Sequence, residues 1–350
     1  MTILNNEAIN SIYFYPQASR CEDAIEVDVG DAVLRCHYHR PNPRHPTLVH
    51  FHGNAEAVAP YVSGEFPNLV QSSTCGMNTL MIEYRGYGGS TGDVEMVSML
   101  SDGEAVLKAL NVDPAQSIAY GRSIGSLYAI ELAHRCPTLA GLVIDSGIAD
   151  IRKPFLEHPS VLDKLESLDM NEVETEIETW FNHEKKISRY TGDLLLFHTK
   201  LDGLIDVDHA YSLNRWATSS TKQLRVYDNG NHNTIFQVNH SDMMDSIGYM
   251  AERLFPECKK QITHSIRYRR LDSEIGVEVG CPIENARRRE ESARQREREM
   301  QAIKERGPTK EMQAMIDSFR ERRDRRTDEP EVPKQGRLRS MINRILSKFY

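Results

Sequence analysis

Through the first 258 residues, short apolar runs alternate with longer stretches in which apolar positions recur every three or four residues. Short runs bounded by Gly, Pro, Asn or Asp read as strands. They predict strands at 23–29, 32–38, 47–51, 79–84, 117–120, 142–145, 194–198 and 224–227. The helical period predicts helices over 94–110 and 124–135, and a closing helix over 242–254 with Met243, Ile247, Met250 and Leu254 on one face. Strands alternating with crossover helices build a mostly parallel sheet flanked by helices. The expected fold class is therefore α/β, with eight strands and an antiparallel hairpin at one edge, where Gly30 and Asp31 join the first two.

Between 150 and 190 the chain is longer than a short crossover needs. Val173, Ile177 and Trp180-Phe181 repeat at helical spacing there, while Glu172, Glu174, Glu176 and Glu178 lie along the other faces. This segment is either a cap over the site or an ordinary crossover helix with a solvated acidic face.

Beyond position 258 the apolar runs shorten and the charge changes sign. Residues 259–350 carry 24 Lys and Arg against 16 Asp and Glu, a net of +8, whereas residues 1–258 carry 19 against 35, a net of −16. The expected organisation is a catalytic-sized domain over 1–258 and a basic, mainly helical tail over 259–350. Residues 284–306 have helix-forming composition, but Ala286, Ala293, Met300 and Ile303 make too thin a stripe for a coiled-coil seam. After the break at Gly307-Pro308, a short helix with Met312, Met315, Ile316 and Phe319 on one face is expected, followed by a linker over 330–336. The last segment, 337–350, places Leu338, Met341, Ile342, Ile345, Leu346 and Phe349 on one stripe, with Arg337, Arg339, Arg344 and Lys348 as its charges. A basic amphipathic helix without acids suits an anionic membrane surface or a partner's groove, and docking on its own domain is the third reading. Nucleic acid is not the expected partner, because the tail arginines interleave with Glu and Asp and stacking aromatics are sparse.

Composition narrows the class further. A chain of 350 residues that is 39% hydrophobic and 27% charged has the makings of a folded core and is neither collagen-like nor a disulfide scaffold. There is no run of 18 apolar residues, and the first residues lack the basic and apolar blocks of a secretion signal. The six cysteines stand singly, without C-x-x-C spacing. Reduced thiols and a cytoplasmic location are expected, with peripheral membrane association one of the roles open to the last helix.

The chemistry enters at Gly121-Arg122-Ser123-Ile124-Gly125, between a predicted strand and a predicted helix. In such a turn the glycines two before and two after the serine relieve close backbone contacts, and the serine projects from a strained corner. The amide of Ile124, at the start of the helix, can face a developing oxyanion. A serine hydroxyl needs a base to take its proton and an acid to orient that base. Of thirteen histidines, His232 stands in a polar turn after the last strand, whereas His37, His39, His50, His52 and His198 lie in or at the ends of strands, where structural roles prevail. Asp202 lies four residues beyond the strongly apolar strand that ends at His198, with Asp206 and Asp208 as neighbours that spacing alone does not remove. Gly53, after the third strand, allows close approach to the elbow and assigns the second oxyanion donor to the amide of Asn54. His50 and His52, at i and i+2 on a strand, point the same way without a third ligand. No metal and no cofactor are expected, and the expected substrate is a small-molecule or acyl compound.

The segments FHGNAE (51–56), EYRGYGGSTG (83–92), GRSIGS (121–126), HTKLDGLIDVDHA (198–210) and GNHN (230–233), in that order, resemble the α/β-hydrolase superfamily over residues 20–256. Within it they are most similar to the alpha/beta-hydrolase-domain group that includes protein depalmitoylases and serine aminopeptidase-like hydrolases. The resemblance implies Ser123 as nucleophile, Asp202 as acid, His232 as base and the amides of Asn54 and Ile124 as oxyanion hole, in the Ser, acid, His order of that superfamily. Tyr84 to Ser90 would form a structural turn. Thr199 replaces the usual Gly, Glu83 the usual Asp, and Asn231 a usual small residue, while residues 1–20 lack the cysteines of the depalmitoylases. The function expected is a serine hydrolase cleaving an ester, thioester or amide through an acyl-enzyme. The competing class is a noncatalytic adaptor with the body as a platform and the tail as the recruiting element.

Overall fold

A computed structural model describes residues 2–66, 76–152 and 169–258. The readings of the tail, 259–350 with its terminal helix 337–350, and of positions 153–168 in the candidate cap lie outside the described residues.

Eight strands form one sheet: β1 (Ile25–Asp28), β2 (Val33–His39), β3 (Thr47–Phe51), β4 (Asn78–Ile82), β5 (Ser117–Arg122), β6 (Gly141–Asp145), β7 (Asp193–Thr199) and β8 (Gln223–Tyr227). Their spatial order is β1-β2-β4-β3-β5-β6-β7-β8. β1, β2 and β4 pair antiparallel, and every pairing from β4 across to β8 is parallel. The predicted hairpin at the edge is present, with Asp28 opposite Val33.

The central strands read as near-continuous apolar runs because both faces are covered. On one face Val49, Phe51, Ala119, Leu142 and Leu194 join a core that includes Leu127 and Ile130 of α4 (Gly125–Arg135). Their neighbours Leu48, Ile118, Val143 and Leu195 face the other way, onto Met243, Ile247 and Met250 of α9 (His240–Leu254). Full burial of each such side chain contributes about 1.5–3 kcal/mol. The remaining helices described are α1 (Glu7–Tyr13), α2 (Val58–Ser63), α3 (Asp102–Ala109), α5 (Met170–Trp180), α6 (His183–Ile187), α7 (Asp208–Trp216) and α8 (Ile235–Val238).

Two predicted boundaries move for reasons of tertiary contact. The helix expected over 94–110 begins only at Asp102, after a 3-10 turn at Ser98–Ser101. The amides of Met96 and Val97 donate instead to the side-chain oxygens of Asn10 and Asn5, at 3.1 and 2.9 Å, so the N-terminal segment holds this stretch out of the helix. β4 stops at Ile82, because Glu83 and Tyr84 are drawn into the buried contacts described below.

α5 keeps the predicted stripe: Val173 and Ile177 are fully buried in the main core. Glu172, Glu174 and Glu178 are exposed, whereas the Glu176 carboxylate accepts the amides of Ile3 and Leu4 at 2.8 and 2.9 Å. Among the described residues no helix is long and apolar enough to cross a membrane.

Candidate active site

In an open parallel sheet, ligands bind beyond the carboxyl ends of the strands. Here the loops after β5, β7 and β8 bring Ser123, Asp202 and His232 together there, and Asn54 stands in the loop after β3. Residue 123 links β5 to α4 with φ of 52°, a left-handed conformation that costs a non-glycine residue about 1–3 kcal/mol. Its amide is anchored by donating to the Asp145 carbonyl at 2.9 Å. The flanking glycines are sterically demanded. A Cβ on Gly121 would lie 2.7 Å from the Gly125 carbonyl oxygen, and one on Gly125 would lie 2.3 Å from that of Phe51. Those contacts also show how closely the end of β3 packs against the start of α4.

The Ser123 hydroxyl donates to His232 Nε2 at 2.9 Å, and His232 Nδ1 donates to Asp202 Oδ2 at 2.7 Å. The other Asp202 oxygen accepts the amides of Leu204 and Ile205 at 2.9 and 2.8 Å, in the turn that opens after β7. Burial alone would raise the Asp202 carboxyl, but the hydrogen bond and charge of His232 and the two amides outweigh it and hold it below the ordinary value. Asp206 does not reach His232; its side chain accepts the Asp208 amide instead, at 2.9 Å. His198, read as structural, has Nε2 2.9 Å from the Ile205 carbonyl and 3.4 Å from Asp202 Oδ2, behind the acid.

The loop after β3 is built by contacts that local sequence does not display. His52 is fully buried and donates from Nδ1 to the Gly53 carbonyl and from Nε2 to Glu83 Oε1, both at 2.8 Å. Burial would lower its pKa, yet the Glu83 bond and charge, with the Gly53 carbonyl, outweigh it and raise the pKa above the ordinary value. The second Glu83 oxygen accepts the Val58 amide at 2.9 Å, which spans the loop from end to end. Tyr84 donates to the His52 carbonyl at 2.7 Å and Tyr87 to Asn54 Oδ1 at 3.1 Å. The Tyr84-to-Ser90 turn thus braces the loop after β3, and Glu83, the departure from the usual Asp, accepts from His52 and Val58 at its two ends. His50 and His52 do not point the same way as expected, because β3 ends at Phe51. His50 packs on Tyr61 and Tyr120, and His52 on Tyr84 and Tyr87. Among the described residues no group of three His, Cys, Asp or Glu could hold a metal ion.

Sequence reading missed a second network. Arg122, between glycine and serine in the elbow, pairs with Glu56 Oε1 at 2.7 Å and donates from Nη2 to the His232 carbonyl at 3.1 Å. Glu56 Oε2 accepts the Gly53 amide and the Tyr61 hydroxyl, both at 2.6 Å. The elbow, the loop after β3 and the loop of His232 are therefore tied through one ion pair, and burial of the guanidinium is outweighed by the charge of Glu56, with Tyr61 and Asp145, in raising its pKa. The only local signal was a charged residue at each position, which says nothing of the pairing.

No family model matches the chain. Mouse alpha/beta hydrolase domain-containing protein 17C is 28% identical over 232 residues, 61% of this chain and 64% of that protein. Human alpha/beta hydrolase domain-containing protein 17B is 28% identical over 211 residues, 56% of this chain and 65% of that protein. The chain thus spans less than two thirds of the length of the curated relatives it matches. An esterase from Pyrococcus furiosus shares the fold with a TM-score of 0.53 at 16% identity, covering 72% of this chain and 98% of its own. Mouse alpha/beta hydrolase domain-containing protein 10 does so with a TM-score of 0.52 at 13% identity, covering 66% and 99%. With the sheet order, the elbow and these relatives together, the chain has the α/β-hydrolase fold and is a distant homologue, at 28% identity, of the domain-containing proteins 17B and 17C.

Proposed function

We propose that this protein is a serine hydrolase that cleaves an ester, thioester or amide through an acyl-enzyme, with Ser123 as nucleophile, His232 as base and Asp202 as its orienting acid. The observation that carries this reading is the continuous chain of contacts from Ser123 Oγ through His232 to Asp202, at 2.9 and 2.7 Å. His232 takes the serine proton as Oγ attacks the carbonyl carbon, and the Asp202 carboxylate stabilises the imidazolium that forms. The oxyanion is received by the amides of Asn54 and Ile124. His232 then protonates the leaving group, and a water activated by the same histidine releases the acyl group.

A fluorophosphonate probe tests the reading: it should label Ser123, and Ser123→Ala should abolish labelling with little change in melting temperature. His232→Ala and Asp202→Asn should each lower turnover of a p-nitrophenyl ester by about 10³-fold or more, whereas Asp206→Asn should not. A folded wild-type protein that takes no label would shift the weight to the adaptor reading.

A further inference from the structure

Asp202 sits on a turn that is held from two sides. Its Oδ1 accepts the amides of Leu204 and Ile205, and its Oδ2 accepts His232 Nδ1 at 2.7 Å. Behind it stands His198, the last residue but one of β7, and both side chains are fully buried. His198 Nε2 lies 2.9 Å from the Ile205 carbonyl oxygen and 3.4 Å from Asp202 Oδ2. Ile205 thus gives its amide to the acid and its carbonyl to His198, so the ring grips the turn where the turn grips the acid.

The tautomer follows from the partners. Both oxygens near Nε2 are acceptors, so the ring proton is on Nε2 and Nδ1 keeps its lone pair. Nδ1 is buried and has no hydrogen-bond partner among the described residues. An unpaired polar atom in the interior is destabilising, and a phenyl ring of nearly the same shape would fill this position without one. Packing of the sheet therefore does not account for an imidazole here. What the imidazole adds is an N–H on the Ile205 carbonyl, with its positive end near the carboxylate oxygen that also receives His232. We propose that His198 is a positioning residue for the acid: through Ile205 it fixes the turn so that Asp202 Oδ2 stays on His232 Nδ1. Its effect on turnover rests on the hydrolase reading above, whereas its hold on the Asp202–His232 contact does not.

Three variants of the full chain separate positioning from packing. His198→Phe keeps a ring and loses both nitrogens; the Ile205 carbonyl it leaves unpaired is offset by removal of the unpaired Nδ1, so the melting temperature should stay within about five degrees of the wild type. His198→Gln carries an amide N–H that reaches the place of Nε2, whereas the same group in His198→Asn reaches only the place of Nδ1. In proton NMR the His232 Nδ1–H, bonded to a carboxylate, should give a far-downfield signal that His232→Ala removes. That signal should persist in His198→Gln and be lost in His198→Phe and His198→Asn, where the loosened contact lets the proton exchange with water. With a p-nitrophenyl ester, kcat should fall about tenfold in the Phe and Asn variants with KM within about twofold, and recover to within about threefold of the wild type in the Gln variant. A merely structural histidine would lose stability in His198→Phe and keep both the signal and kcat. That result, equal behaviour of the Gln and Asn variants, or a wild type without the signal overturns the proposal, and the Gln and Asn pair decides it if His198→Phe does not fold. Turnover that persists in Ser123→Ala would overturn the hydrolase reading while the NMR comparison still decides this one; Ser123-dependent turnover with signal and kcat unchanged in a folded His198→Phe would do the reverse.

Discussion

Replacing Glu56 by Gln isolates the ion pair that ties the loop after β3 to the elbow. The two side chains are 15% and 13% exposed and 2.7 Å apart, so the substitution leaves a largely buried guanidinium facing an amide. The amide oxygen can still accept Gly53 and Tyr61, but its NH2 is then turned toward Arg122, donor against donor. Breaking one side of a buried pair costs about 3–5 kcal/mol, and partial exposure puts this case near the lower end, about 3 kcal/mol. Arg122→Gln should cost a similar amount and also removes the donor to the His232 carbonyl. The double variant has no charge left unpaired, so it should recover about 1.5–3 kcal/mol relative to the sum of the singles. Urea unfolding at constant slope reads these values. In kinetics with a p-nitrophenyl ester, each single variant should lower kcat about tenfold, because under the proposed mechanism the displaced groups are the Asn54 amide and the base. Strict additivity of the stabilities, or singles that lose stability but keep kcat, would refute the reasoning.

The buried His52–Glu83 pair has a signature in pH. The His52 pKa is raised in the folded protein, so its contribution to stability is fully present below the unfolded value of about 6.5 and is lost as pH rises through the folded value. Glu83→Gln should therefore lower the melting temperature more in mildly acidic than in strongly alkaline buffer, and an equal drop in both would show that the pair is not ionised. For the tail, deleting residues 337–350 should leave small-ester turnover intact and reduce sedimentation with anionic vesicles, since each flanking cation gains about 1 kcal/mol near such a surface. That binding should weaken steeply with salt; a truncation that lowers only the melting temperature would mean that the segment packs on its own body.

What could be read from the chain alone follows from short-range physics. β3, β6 and β7 were legible as near-continuous apolar runs because a strand covered on both faces is apolar at most positions. The elbow was legible because the steric demand of its turn falls on Gly121 and Gly125, two residues either side of Ser123. Asp202 and His232 were legible by position after β7 and β8, the polar loops at the carboxyl ends of strands. The N-terminal contacts were not: Asn5 and Asn10 reach residues 96 and 97, and Glu176 reaches Ile3 and Leu4, across separations that leave no periodic trace.

Only the tertiary structure decided how the buried charges are compensated. Arg122, Glu56, Glu83, His52 and Asp145 each look, in sequence, like ordinary polar residues near turns. Sheet order places β3 between β4 and β5, which sets Glu83 against His52 and Arg122 against Glu56 and gives Asp145 the hydroxyls of Tyr120 and Ser146. A hydrophobic pattern records which face of an element is buried, and it records that locally. The cost of burying a charge depends on what stands a few ångströms away in space, and so it is settled when the strands assemble.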